Sequence, residues 1–127
     1  MVVAAARVAA DRIRWPRQLS RSEAPRIIHE YLRTRIRYFA EPPSSQRVRL
    51  PSGTVKEGVA DCKSTAIFLA AALHAAGYNV KLRFIRQKGT RNGWNHVYIL
   101  ADGIPVDPLL PLGREALYLD RKDVPIP

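Results

Sequence analysis

Residues 58–77 read Gly-Val-Ala-Asp-Cys-Lys-Ser-Thr-Ala-Ile-Phe-Leu-Ala-Ala-Ala-Leu-His-Ala-Ala-Gly. Asp61 is a good N-cap, and Gly77 supplies the left-handed residue that closes a helix. Between them Ala66 to Leu73 leave almost no polar face. A helix apolar nearly all round is buried, so this segment is expected to form the centre of the core. Cys62, the only cysteine in the chain, stands at the helix start. Unpaired backbone N–H groups and the positive end of the helix dipole favour a thiolate there. Position alone leaves two readings, a nucleophile and a small buried hydrophobe.

After Gly77 the periodicity changes to two. Val80, Leu82 and Phe84 alternate with Lys81 and Arg83, which predicts a strand. Gln87 to Gly93 reads as a hairpin loop and Asn95 to Leu100 as a second strand. Ala101-Asp102-Gly103 turns the chain into a third strand, Ile104 to Asp107, which Pro105 marks as an edge or a bulge. A two-residue Asp102-Gly103 turn sets Ala101 opposite Ile104 and Tyr98 opposite Asp107. His96 and Asp107 then become diagonal neighbours on one face, about 7–8 Å apart at Cα. A carboxylate there orients one ring nitrogen and leaves the other for a nucleophile. A one-residue change in the turn would separate them.

Upstream, Ser22 is an N-cap candidate. Ile27, Ile28, Tyr31, Leu32 and Ile36 fall at helical spacing, predicting an amphipathic helix over 23–37 with Arg26, Arg33 and Arg37 on its other face. His29 is placed at the surface of this helix. Residues 41–58 are expected to be a loop with one extended piece around 47–50. Residues 111–127 read as a tail with one short strand at 116–119. The chain divides into a basic N-terminal arm or short helix, 1–21, and a single domain, 22–127.

Composition bounds the rest. The chain has 127 residues, enough for one modest core, with 46% apolar and 25% charged residues, an ordinary globular balance. One cysteine excludes an internal disulfide. Apolar runs fall short of a membrane span, and the first 16 residues lack the apolar stretch of a secretory signal. Cytoplasmic residence is the resulting expectation. The net charge is +10, of which residues 1–50, with eleven basic and four acidic side chains, contribute +7. Such a surface attracts nucleic acid without sequence preference, although no nucleic-acid motif accompanies the arginines. His74 lies twelve residues beyond Cys62 on the same helix, about 18 Å along the axis, so a Cys/His metal site is not expected. No phosphate-binding glycine loop is present.

The run 58–73 followed by Ala76-Gly77, then Asn95-His96-Val97-Tyr98-Ile99, then Val106-Asp107-Pro108, resembles in order and spacing the transglutaminase-like cysteine peptidase superfamily. The resemblance spans roughly residues 26 to 110, and Ala60 stands where the family often has Gly. It implies an α+β, papain-like fold with the cysteine helix packed on a small antiparallel sheet. It also implies a thiol-dependent acyl hydrolase or transferase acting through a Cys62–His96–Asp107 triad and a thioester, with no cofactor and no metal, on a protein or peptide substrate. Ile36-Arg37-Tyr38 and Gln46 to Pro51 are similar to the short phage and prophage members, which adds virion association as a second location. Gln46 is a candidate oxyanion donor or an exposed loop residue. Trp94 either shields the Cys–His pair or packs on the sheet. The alternative is a non-catalytic basic binding or virion-assembly module that retains the triad by descent. The number of copies in an assembly stays open.

Overall fold

The computed structural model describes residues 23–39, 49–89 and 93–127. Helix α1 spans Ala24–Arg35 and strand β1 Arg37–Tyr38; α2 spans Pro51–Glu57 and β2 Val59–Ala60; α3 spans Cys62–Ala75. Four strands follow, β3 Val80–Arg86, β4 His96–Ala101, β5 Ile104–Val106 and β6 Asp120–Pro125. They form an antiparallel sheet in the order β5-β4-β3-β6, while β1 and β2 make a separate two-stranded parallel pair.

Helix α3 is the buried centre. The Asp61 side chain accepts the Ser64 N–H at 2.9 Å, and Gly77 takes a φ of 94° just past the end. Ala66, Leu69, Ala70 and Leu73 pack against Val80 and Leu82 of β3, Val97, Ile99 and Ala101 of β4, and Val106 of β5. Ile28, Leu32 and Ile36 of the α1 segment join the same cluster, and Tyr31 stacks on Phe68 at 5.8 Å. Ile27, expected on that apolar face, is instead exposed.

The opposite face of the sheet is covered too. Ile85, Tyr98 and Leu100 pack with Ala116 and Tyr118 of the segment after β5. Arg83 points to this side and is buried, because Asp123 accepts from its Nε and Nη2 at 2.8 and 2.9 Å and Glu115 from its Nη1 at 3.1 Å. Glu115 also accepts the Tyr98 hydroxyl at 2.5 Å. This ion-paired cluster fastens Glu115 and the β6 residue Asp123 to the sheet.

The β4–β5 turn follows the expected register. Ala101 pairs with Ile104, Leu100 with Pro105 and Ile99 with Val106. Asp102 and Gly103 both have positive φ, 48° and 82°, the two-residue turn whose twist matches paired strands. Pro105 sits on the edge strand, as its missing N–H requires.

Four further expectations are corrected. The first helix ends at Arg35, since Ile36 turns extended to feed β1. Residues 51–57, read as loop, form α2, with Pro51 at its first position and Gly58 closing it at a φ of 70°. No strand forms at 116–119: Ala116 and Tyr118 alternate inward, but Leu117 is 93% exposed, and the ladder begins at Asp120. There β6 holds its place through the Arg83–Asp123 pair and through Ile126, which is buried and donates its N–H to the Val80 carbonyl at 2.9 Å. His29, placed at the surface, is buried. The N-terminal arm, its boundary at 21/22, the Ser22 cap and Gln46 lie outside the described residues.

Because α3 is the centre, truncating it should be costly. Leu69→Ala is expected to lower stability by about 2–5 kcal/mol in urea unfolding, against no more than about 0.5 kcal/mol for the exposed Lys81→Ala.

Candidate active site

Cys62 is the first residue of α3, with its backbone N–H in the unpaired first turn. His96 is the first residue of β4, and Asp107 follows β5 directly. Three elements therefore end at one place. His96 Nε2 donates to Asp107 Oδ2 at 2.7 Å. The other ring nitrogen is left for the Cys62 thiol, which borders the same hollow as His96 and is close enough for the imidazole to govern its ionisation. The Tyr98 ring, on the same face of β4, lies 5.7 Å from that of His96.

Asp107 is held from every side. It is only 1% exposed. Its Oδ1 accepts the Leu109 N–H at 3.1 Å, and its carbonyl accepts the Leu110 N–H at 3.0 Å. His29, from α1, donates Nε2–H to the Leu110 carbonyl at 2.8 Å and to the Asp107 carbonyl at 3.2 Å. The supposed surface histidine thus fastens the loop that carries the carboxylate. Sequence gave no sign of this, because the partners lie 78 and 81 residues away.

The electrostatics favour a charged pair. Burial pushes the Cys62 thiol up, but the His96 hydrogen bond and charge and the Val97 backbone N–H outweigh it, leaving the thiol below its ordinary value. Burial pulls His96 down, yet hydrogen bonds and charge from Asp107 and Cys62 raise it to about 9. Thiolate and imidazolium coexist between the lowered thiol value and about 9. The influence of the Val97 backbone on the sulfur is one that periodicity could not reveal.

Two hollows flank His96. One, of about 260 Å³, is lined by Cys62, Lys63, Phe84, Trp94 and Val97. The other, of about 290 Å³, is lined by Tyr38, Asp107, Leu109, Leu110 and Ala116, with Asn95 and His96 shared between them. Trp94 is 43% exposed and forms a wall of the first hollow, beside the sulfur. Asn95 and Gln87 brace the base of the hairpin through reciprocal bonds of 2.7 and 2.6 Å. Lys63 is ion-paired with Asp61 at 2.8 Å. Among the described residues, no three His, Cys, Asp or Glu side chains are grouped to hold a metal ion.

No curated protein matches the chain. Among solved structures it is similar to a Parabacteroides distasonis ATCC 8503 protein provisionally described as a protease, with a TM-score of 0.59 at 14% identity. The match covers 84% of this chain and 22% of the other, so the present chain spans about a fifth of that protein's length. The likeness is one of fold, a papain-like α+β core. The model of the transglutaminase-like superfamily matches residues 7–108 and takes in the cysteine helix and both site strands. The chain belongs to the transglutaminase-like superfamily.

Proposed function

We propose that the protein is a thiol-dependent acyl hydrolase of the cysteine-peptidase type, acting on amides of protein or peptide substrates. The observation that carries this reading is the His96 ring bonded to the Asp107 carboxylate and bordering one hollow together with Cys62.

The Cys62 thiolate attacks the amide carbonyl carbon, forming a C–S bond and a tetrahedral oxyanion. The Cys62 backbone N–H, in the open first turn of α3, is a donor to that oxygen. The imidazolium passes its proton to the amide nitrogen, the C–N bond breaks, and the amine departs. His96, now neutral, takes a proton from water as the water oxygen attacks the thioester. The C–S bond breaks, an acid leaves, and the thiolate returns with its imidazolium. Asp107 keeps the proton on Nε2 and supports the ring's positive charge. An amine replacing water would make the same acyl-enzyme a transferase.

A second reading, a basic contact with nucleic acid, is supported by Arg26, Arg33, Arg35 and Arg37, all exposed on or just after α1. It is compatible with the first, since none of these side chains lines either hollow beside His96.

Iodoacetamide alkylation of Cys62 is expected to show a limb below the ordinary thiol range, and His96→Ala should move that limb to higher pH. An unmoved limb would mean that His96 does not activate the sulfur. A thiol-reactive acyl probe should label the wild type, fail on Cys62→Ala, and react about 10²–10⁴-fold more slowly with His96→Ala. Duplex DNA retained at low salt should be released steeply toward physiological salt; no retention even at low salt removes the second reading.

A further inference from the structure

Tyr38 was noted in the sequence only as part of a short motif, yet the fold carries its phenol to the sulfur. β1 and β2 pair in parallel with Tyr38 opposite Ala60. The Phe39 N–H donates to the Ala60 carbonyl at 2.9 Å and the Arg37 N–H to the Gly58 carbonyl at 2.8 Å. Those bonds lock Tyr38 opposite Ala60, a residue two positions before Cys62. Its side chain lines the same hollow as His96 and Asp107, and its hydroxyl is close enough to the Cys62 sulfur for the sulfur's charge to oppose its ionisation.

The phenol is a poor acid here. Partial burial opposes its ionisation first, and the charges of Cys62, Asp61 and Asp107 oppose it further. It therefore stays a neutral O–H donor throughout the range in which the thiolate exists. In the resting site that donor lies near the thiolate. Once sulfur bonds to a carbonyl carbon, the former carbonyl oxygen sits one atom away from sulfur, within hydrogen-bonding reach of the same hydroxyl.

We propose that the Tyr38 hydroxyl is a catalytic oxyanion donor, complementing the Cys62 backbone N–H on the side of the hollow shared with His96 and Asp107. The assignment rests on the thiol-enzyme reading above. No proton leaves the phenol: it donates to sulfur before attack, to the developing oxyanion during it, and to sulfur again after the thioester is hydrolysed. Gln46, the candidate raised by the sequence for this task, lies outside the described residues.

The test compares two reactions of one sulfur. Acylation by p-nitrophenyl acetate develops an oxyanion; alkylation by iodoacetamide, at a saturated carbon, does not. Tyr38→Phe keeps the ring and removes the donor. At plateau pH, acylation should fall about 10²-fold while alkylation changes by no more than about twofold. Tyr38→Leu, a second deletion of the hydroxyl, should show the same split. Equal losses in both reactions would make Tyr38 a packing residue, and no loss of acylation would leave it without the role; either result overturns the assignment. A wild type that is alkylated but never acylated overturns the thiol-enzyme reading itself, and the Tyr38 role with it.

Discussion

A carboxylate sealed almost completely from water must have every charge-bearing lone pair answered by the protein. Asp107 is such a group, and the site is arranged around answering it. His96 and the Leu109 N–H satisfy its carboxylate, while the Leu110 N–H and His29 satisfy its carbonyl. The His29 contact ties the loop back to α1, so the first helix, the sheet and the β5 exit hold one another. A loosened Asp107 would release the imidazole first, and the sulfur would lose its charged neighbour next.

The apolar core and the polar site divide the labour. Helix α3 has almost no face to give to water, so its N-terminus is positioned by packing rather than by the chemistry at its tip. Burial by itself would disfavour both the thiolate and the imidazolium. Their attraction to each other, together with Asp107 and the Val97 N–H, reverses that tendency. The arrangement is local: a chain carrying a net charge of +10 places two carboxylates, Asp61 and Asp107, and a phenol around its Cys–His couple.

The second face of the sheet does comparable work with charge instead of apolar area. Arg83, Asp123, Glu115 and Tyr98 form one hydrogen-bonded cluster. It holds β6 at one edge and fastens the segment whose Ala116 lines the hollow beside His96. A strand as charged as Asp-Arg-Lys-Asp has little propensity of its own. It forms where a buried guanidinium needs its carboxylate.

The sequence by itself determined the elements whose causes are local. Asp61 caps α3, eight apolar residues bury it, and Gly77 ends it. Asp102-Gly103 permits the positive φ pair that sets the β4–β5 register, which carries Asp107 to the His96 side of the sheet. Only the tertiary structure decided what depends on partners far along the chain: the burial of His29 and Arg83, the β1–β2 pairing that brings Tyr38 to Cys62, the Val97 N–H at the sulfur, and β6. α2 falls between the two, since Pro51 and Gly58 bracket it legibly, but its short polar sequence has no periodicity of its own and is helical because it packs on α3. A turn or a cap is decided by the dihedral freedom of one or two residues. A buried ion pair or a two-residue parallel bridge exists only once distant segments have been brought together.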